Sequence, residues 1–154
     1  MRYSVVLAAA LVALAAGPFD IALMNTPKAP TAKGAARLVF AQSPFGVTVT
    51  ADGRASYDVQ LTLAGLPKPS TLGKYTTYVA WAATTNLDEW HRLGVVANGR
   101  STVGRAELNK FLLVITAEAD SAPPTRTGPT VLHGISPSGW LQSLTTHPLF
   151  RGVQ

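Results

Sequence analysis

The chain has 154 residues, of which 47% are apolar, only 14% are charged and none is cysteine. That length fits one domain with a sizeable core, and the missing thiols exclude disulfides and a cupredoxin-type copper site, which needs a thiolate. The formal charge of +5 is scattered, with no run of adjacent Lys or Arg and no interleaved aromatics. That excludes a nucleic-acid groove and leaves a mildly basic surface, with weak attraction to an anionic membrane or cell-wall polymer as the alternative.

Met1-Arg2-Tyr3-Ser4 precedes an uncharged apolar run from Val5 to Ala16. A basic start, a short apolar centre and small residues at its end predict a signal peptide over 1–15, with a cut after Ala15 or near Gly17. The rival is a membrane anchor extended through Ile21 to Met24, which Pro18 and Asp20 interrupt short of the ~20 residues a span needs. Either way the setting is extracytoplasmic, periplasmic or secreted. Residues 16–36 read as a flexible linker, since Asn25 to Ala36 is rich in Pro, Ala, Thr, Lys and Gly without apolar period.

A β-domain is expected over 37–147, followed by a tail over 148–154. Leu38 to Ala41 and Phe45 to Thr50 read as short strands, and Asp52-Gly53 as a hairpin turn. Tyr57, Val59, Leu61 and Leu63 alternate with Asp58, Gln60 and Thr62, the pattern of a strand with one wet face. Tyr75 to Ala83 and Phe111 to Ala117 are apolar on both faces and are expected to pair centrally, with Trp81 between the sheets. Trp90 to Ala97 is another strand, and Asn98-Gly99 a second two-residue hairpin signal leading into Ser101 to Leu108. Asn86 to Glu89 is one helical turn or a loop. A long connection holding Pro123, Pro124, Gly128 and Pro129 precedes a strand from Thr130 to His133, and Trp140 to Thr145 forms the last one. About eight short strands, frequent turns and no convincing helix predict an all-β, antiparallel β-sandwich of immunoglobulin-like type.

Several of these blocks resemble the extracytoplasmic C-terminal domain of anti-sigma-K factors. The blocks are Tyr78-Val79-Ala80-Trp81, Leu93-Gly94-Val95-Val96, Val114-Ile115-Thr116-Ala117-Glu118, and Arg126-Thr127-Gly128-Pro129-Thr130-Val131-Leu132. The resemblance spans Val59 to Gly134 and implies the sandwich and the extracytoplasmic setting. Those factors carry a sigma-binding domain and a membrane span ahead of this module, so sigma-factor regulation is not implied. A looser similarity is to sandwich modules near copper oxidases.

Candidate chemistry is thin. His91, His133 and His147 are the only nitrogen ligands, and no two share a strand face by spacing, so a metal site on His91 and His133 is only an alternative. Ser136, Ser138, His133 and Asp120 lack a nucleophile-elbow motif. Glu107 and Glu118 are ordinary as a glycosidase pair, because strand carboxylates commonly point outward. No catalytic residue and no cofactor is therefore expected. Trp90 and Trp140, at strand starts beside polar residues, read as half-buried rim residues or as an exposed aromatic platform. Arg126, in a loop stiffened by prolines, is the cation best placed to meet a partner's carboxylate. The sequence thus predicts a non-enzymatic interaction module of the bacterial cell envelope, its partner another envelope protein or another module of the same assembly. The alternative is a periplasmic metal-handling or copper-oxidase-associated accessory protein.

Overall fold

A computed structural model describes residues 19–137 except 45 and 48, and of 46 and 47 the backbone alone. The signal peptide (1–15), Trp140, the expected strand from Trp140 to Thr145, His147 and the tail (148–154) lie outside the described residues.

The fold is all-β and antiparallel. Its strands are β1 (Asp20–Asn25), β2 (Lys33–Phe40), β3 (Gln42–Ser43), β4 (Gly46–Val47), β5 (Tyr57–Ala64), β6 (Thr77–Thr84), β7 (Trp90–Val96), β8 (Gly99–Ala106), β9 (Phe111–Glu118) and β10 (Thr130–Ile135). Eight of them form one sheet in the order β7-β6-β9-β10-β1-β2-β5-β8, and β3 and β4 make a separate ribbon. Strand β1 bends this sheet into two layers. Its first four residues pair with Gly34 to Arg37 of β2, and Met24 and Asn25 pair with His133 and Leu132 of β10.

The segment expected as a linker therefore holds β1, a turn and the first half of β2, whose second half overlaps the strand expected from Leu38 to Ala41. Ile21 and Leu23 are buried while Ala22 and Met24 are exposed, and Ala36 and Leu38 are buried in turn. Small residues hide this period in the sequence, because Gly and Ala carry little hydrophobic signal. The packing explains the smallness: a Cβ on Gly34 would lie 2.7 Å from Leu63 Cδ2 and 3.0 Å from Leu23 Cδ1. Between the strands, Asn25 Nδ2 donates to the carbonyls of Pro30 and Ala32 and fixes the turn. Ile21 to Met24, which would have extended a membrane anchor, is strand.

The other margin of the sheet nearly closes on itself. Asn98-Gly99 does not turn a hairpin, since β7 pairs with β6 and β8 pairs with β5. The dipeptide instead carries the chain across from one layer to the other. Asn98 acts as a substitute strand residue there: its Oδ1 accepts from Leu66 N (2.9 Å) and its Nδ2 donates to Leu66 O (3.0 Å). A Cβ on Gly104 would lie 2.5 Å from the Leu93 carbonyl oxygen, so β7 and β8 touch backbone to backbone without a ladder.

The inward faces share one core, which includes Tyr57, Val59, Leu61 and Leu63 of β5, Tyr78, Ala80 and Ala82 of β6, and Phe111, Leu113 and Ile115 of β9. Strand β5 follows the expected alternation. At Asp52-Gly53 the chain turns as expected, with Gly53 at φ 77° and Gly53 N donating to Thr50 O. Of the strand expected from Phe45 to Thr50, the described residues form β4 and an isolated bridge between Val49 and Ala55. Residues 86–89 form no helix; Leu87 sits there at φ 65°.

Candidate interaction site

Trp81 is buried, at 1% exposure, but not between the layers. Alternation along β6 puts Tyr78, Ala80 and Ala82 in the shared core, so Val79 and Trp81 face outward. They form a second apolar cluster with Val114 of β9, flanked by the half-buried Leu112 and Trp90. The proline-bearing loop, residues 119–129, crosses this outer face. It leaves β9, reaches across β6 to meet β7, and returns to β10: Arg92 of β7 donates to Ser121 O at 3.4 Å, and the Arg126 guanidinium lies 4.6 Å from the centroid of the Trp90 ring. Pro123 is buried beneath the loop's exposed surface.

A chain of polar contacts fastens this cover. Trp81 Nε1 donates to Thr116 Oγ1 (2.9 Å), and Thr116 Oγ1 donates to Glu118 Oε1 (2.6 Å). Glu118 also accepts from Thr127 Oγ1 (2.7 Å) and from the backbone N–H groups of Thr127 and Gly128 at 3.2–3.3 Å. The expectation that Glu118 points into solvent is thus overturned, since it is 0% exposed. Burial alone raises a carboxyl, but here the hydrogen bonds from Thr116, Thr127 and Gly128 outweigh it and hold Glu118 below its ordinary value. The close approach depends on Gly128, whose Cβ would lie 1.5 Å from the Ala117 carbonyl oxygen. Ala117 N donating to Pro129 O, and Thr76 bonding Glu118 O and Ala119 O, complete the closure.

The structure brings together Arg126 and Trp90, two of the three expected partner-binding residues. Arg126 is exposed and donates to Thr130 Oγ1 at 3.2 Å, while Trp90 Nε1 donates to Leu87 O at 3.0 Å, so both side chains are held from a second point. Beyond the loop the outer face continues to Leu112, His133, Ile135 and Met24, the last two being 54% and 62% exposed.

The alternative metal pair is separated. His91 on β7 pairs with Ala82, whose side chain faces the core, whereas His133 on β10 pairs with Val114 on the outer face. Two strands intervene, a spacing of about 14 Å, and metal–nitrogen bonds of about 2 Å cannot bridge it. No group of three or more His, Cys, Asp or Glu among the described residues is placed to hold an ion. His91 stands 3.6 Å from Glu89 and lines a cleft of about 400 Å³ with Asp52, Arg54, Arg105 and Glu107. Arg54 is paired with Asp52 there, and Arg105 with Asp58. Ser136 is structural: its Oγ accepts from Phe111 N at 2.8 Å. No family model, curated protein or solved structure matches the chain.

Proposed function

We propose that the protein is an exported, non-enzymatic interaction module of the bacterial cell envelope, binding another envelope protein or another module of its own assembly. The observation that carries this reading is the Arg126–Trp90 pair on the outer face of β6, β7 and β9. Tryptophan and arginine are the residues most often found to anchor interfaces. Here each is immobilised before any partner arrives, which lowers the entropy lost on docking. Among the described residues of β6, β7, β9 and β10, the carboxylate on this face is Glu118, and it is consumed within the loop's own hydrogen bonds. The exposed charges offered are the guanidiniums of Arg92 and Arg126 and the loop's Asp120 carboxylate, which accepts from Ala122 N; the balance is cationic, so the matching partner surface presents carboxylates to Arg126 beside an apolar centre. The sequence resemblance to the extracytoplasmic domain of anti-sigma-K factors supports the same setting.

The test compares capture of envelope proteins by wild type, Arg126→Ala and the distant control Arg54→Ala, each with an unchanged melting temperature. Arg126→Ala is expected to weaken the captured complex at least tenfold, with Arg54→Ala at wild-type strength. Equal capture by all three would remove this face from consideration.

A further inference from the structure

A buried carboxylate normally lies against a cation or is neutral. Glu118 has neither solution. The charged and titratable groups on the elements packed about its face are Lys74 and Tyr75 before β6, Arg92 of β7, His133 of β10, and Asp120 and Arg126 of the loop, and the registers set Arg92 and His133 four residues along from it. No ion pair joins Glu118 to any of them. Its negative charge is instead stabilised by neutral donors: two hydroxyls and two successive backbone N–H groups. Two of those three residues, Thr127 and Gly128, belong to the loop, and the third, Thr116, connects to Trp81 beneath it. The loop's other ties include one at each end, Thr76 Oγ1 to Ala119 O (2.8 Å) and Ala117 N to Pro129 O (3.0 Å), about which the span between can lift. Within that span they are the long Arg92–Ser121 contact, the Arg126–Thr130 bond and the Arg126–Trp90 stacking, all made through exposed guanidiniums.

We infer that loop 119–129 is a releasable cover, clasped over Trp81 by ionised Glu118 and unfastened when that carboxylate takes up a proton. The reason lies in the donor set. A protonated carboxyl brings a new O–H into a site where every partner already donates. Thr127 Oγ1 or Thr116 Oγ1 can accept it only by turning its own O–H away from Glu118, and Thr116 must then do so with its other lone pair held by Trp81. The clasp therefore contributes fully above the ordinary carboxyl value of 4.5 and is lost as pH falls through the lower value of the folded state. Opening bares the Val79–Trp81–Val114 cluster and frees Arg126 from Trp90. That this enlarges a docking surface rests on the function proposed above; the fastening itself does not.

The experiment is amide hydrogen exchange on the full chain without partner, from pH 7 to pH 3, corrected for intrinsic exchange. Protection at Thr127 and Gly128 is expected to fall at least tenfold more between pH 5 and pH 3 than protection at Val59 to Leu63 of β5. Glu118→Gln should lose that protection at every pH and show no step. Thr127→Val, which keeps the carboxylate and both N–H donors, should shift the step to higher pH, and it decides the matter if Glu118→Gln does not fold. Flat protection of the loop in wild type down to pH 3, or its loss in concert with β5, would overturn the inference. So would wild-type protection in Glu118→Gln. Because no partner is present, failure here leaves the capture comparison standing, and failure of capture leaves this result standing.

Discussion

Replacing Trp81 by alanine tests how β6 is buried. Removing a fully buried aromatic side chain costs about 3–5 kcal/mol, the spread reflecting how far the site collapses. Two features of this site set the figure within that range. The loop has no strand ladder of its own and can settle into the gap, which pulls the cost toward the lower end. The lost Trp81–Thr116 bond adds about 1 kcal/mol rather than a full desolvation penalty, because Thr116 still donates to Glu118. The expected loss is therefore about 3–4 kcal/mol, large against a total stability of roughly 5–15 kcal/mol. For a domain of this size it lowers the melting temperature by about 10–20 °C. Urea unfolding followed by far-ultraviolet circular dichroism measures it without relying on the removed fluorophore. Trp81→Phe, which keeps most of the ring, should lose about 1–2 kcal/mol. A loss under about 1 kcal/mol for the alanine variant, the range of ordinary surface changes, would refute the burial. It would mean that nothing buries Trp81 on the outer face, since a one-residue slip of β6 would carry the ring into the shared core and leave it buried.

Two further substitutions probe the closure of the fold. Asn98→Ala strips partners from both the N–H and the carbonyl of Leu66, and should cost about 1–3 kcal/mol in the same urea assay; a neutral result would mean that water replaces both bonds at this crossover. Gly128→Ala places a methyl group against the Ala117 carbonyl, where backbone and not a flexible side chain stands in the way. It should cost at least twice as much as Gly53→Ala, where the methyl meets open space and the cost of about 1–2 kcal/mol comes from the positive φ alone; equal losses would show that the loop shifts without strain.

The legible parts of this fold were those where side-chain chemistry changes with a short period. β5 matches its alternation, and β6 and β9 lie where two-faced apolar runs placed them, paired as expected. The first half of β2 was hidden because alanine and glycine compose both strand and tether, and it is Leu63 and Leu23 packing on Gly34 that distinguishes them; β1 was hidden because it follows so closely on an apolar run. Asn98-Gly99 misled for a different reason: a turn dipeptide states that the chain reverses, not which strand receives it. At the site, Arg126 and Trp90 were each identifiable by residue type. Their contact was not, because it depends on a loop crossing β6 from β9 to β7. Glu118 gave no warning, since a carboxylate at a strand end looks solvated until the returning loop brings Thr127 and Gly128 against it.

The two-faced apolar character of β6 and β9 carries one more consequence. A sheet in a two-layer fold needs one apolar face, yet Val79, Trp81, Leu112 and Val114 make a second. Burying it takes a further covering element, and no helix is present among the described residues except the single 3-10 turn Pro69–Thr71. Loop 119–129 supplies the cover, which accounts for both its length and its prolines: a segment without internal ladders must be stiff to stay down. The Glu118 clasp, the Gly128 close approach and the Arg126 stacking then serve one purpose, holding an irregular chain over an apolar strip. The cover is also incomplete. It ends before Leu112, Ile135 and Met24, which leaves apolar surface continuous with Trp90 and rimmed by guanidinium groups. A partner that docks beside the loop extends an existing layer and meets Arg126 at the junction. On this arrangement, residues at that junction rather than at the His91 cleft should govern binding.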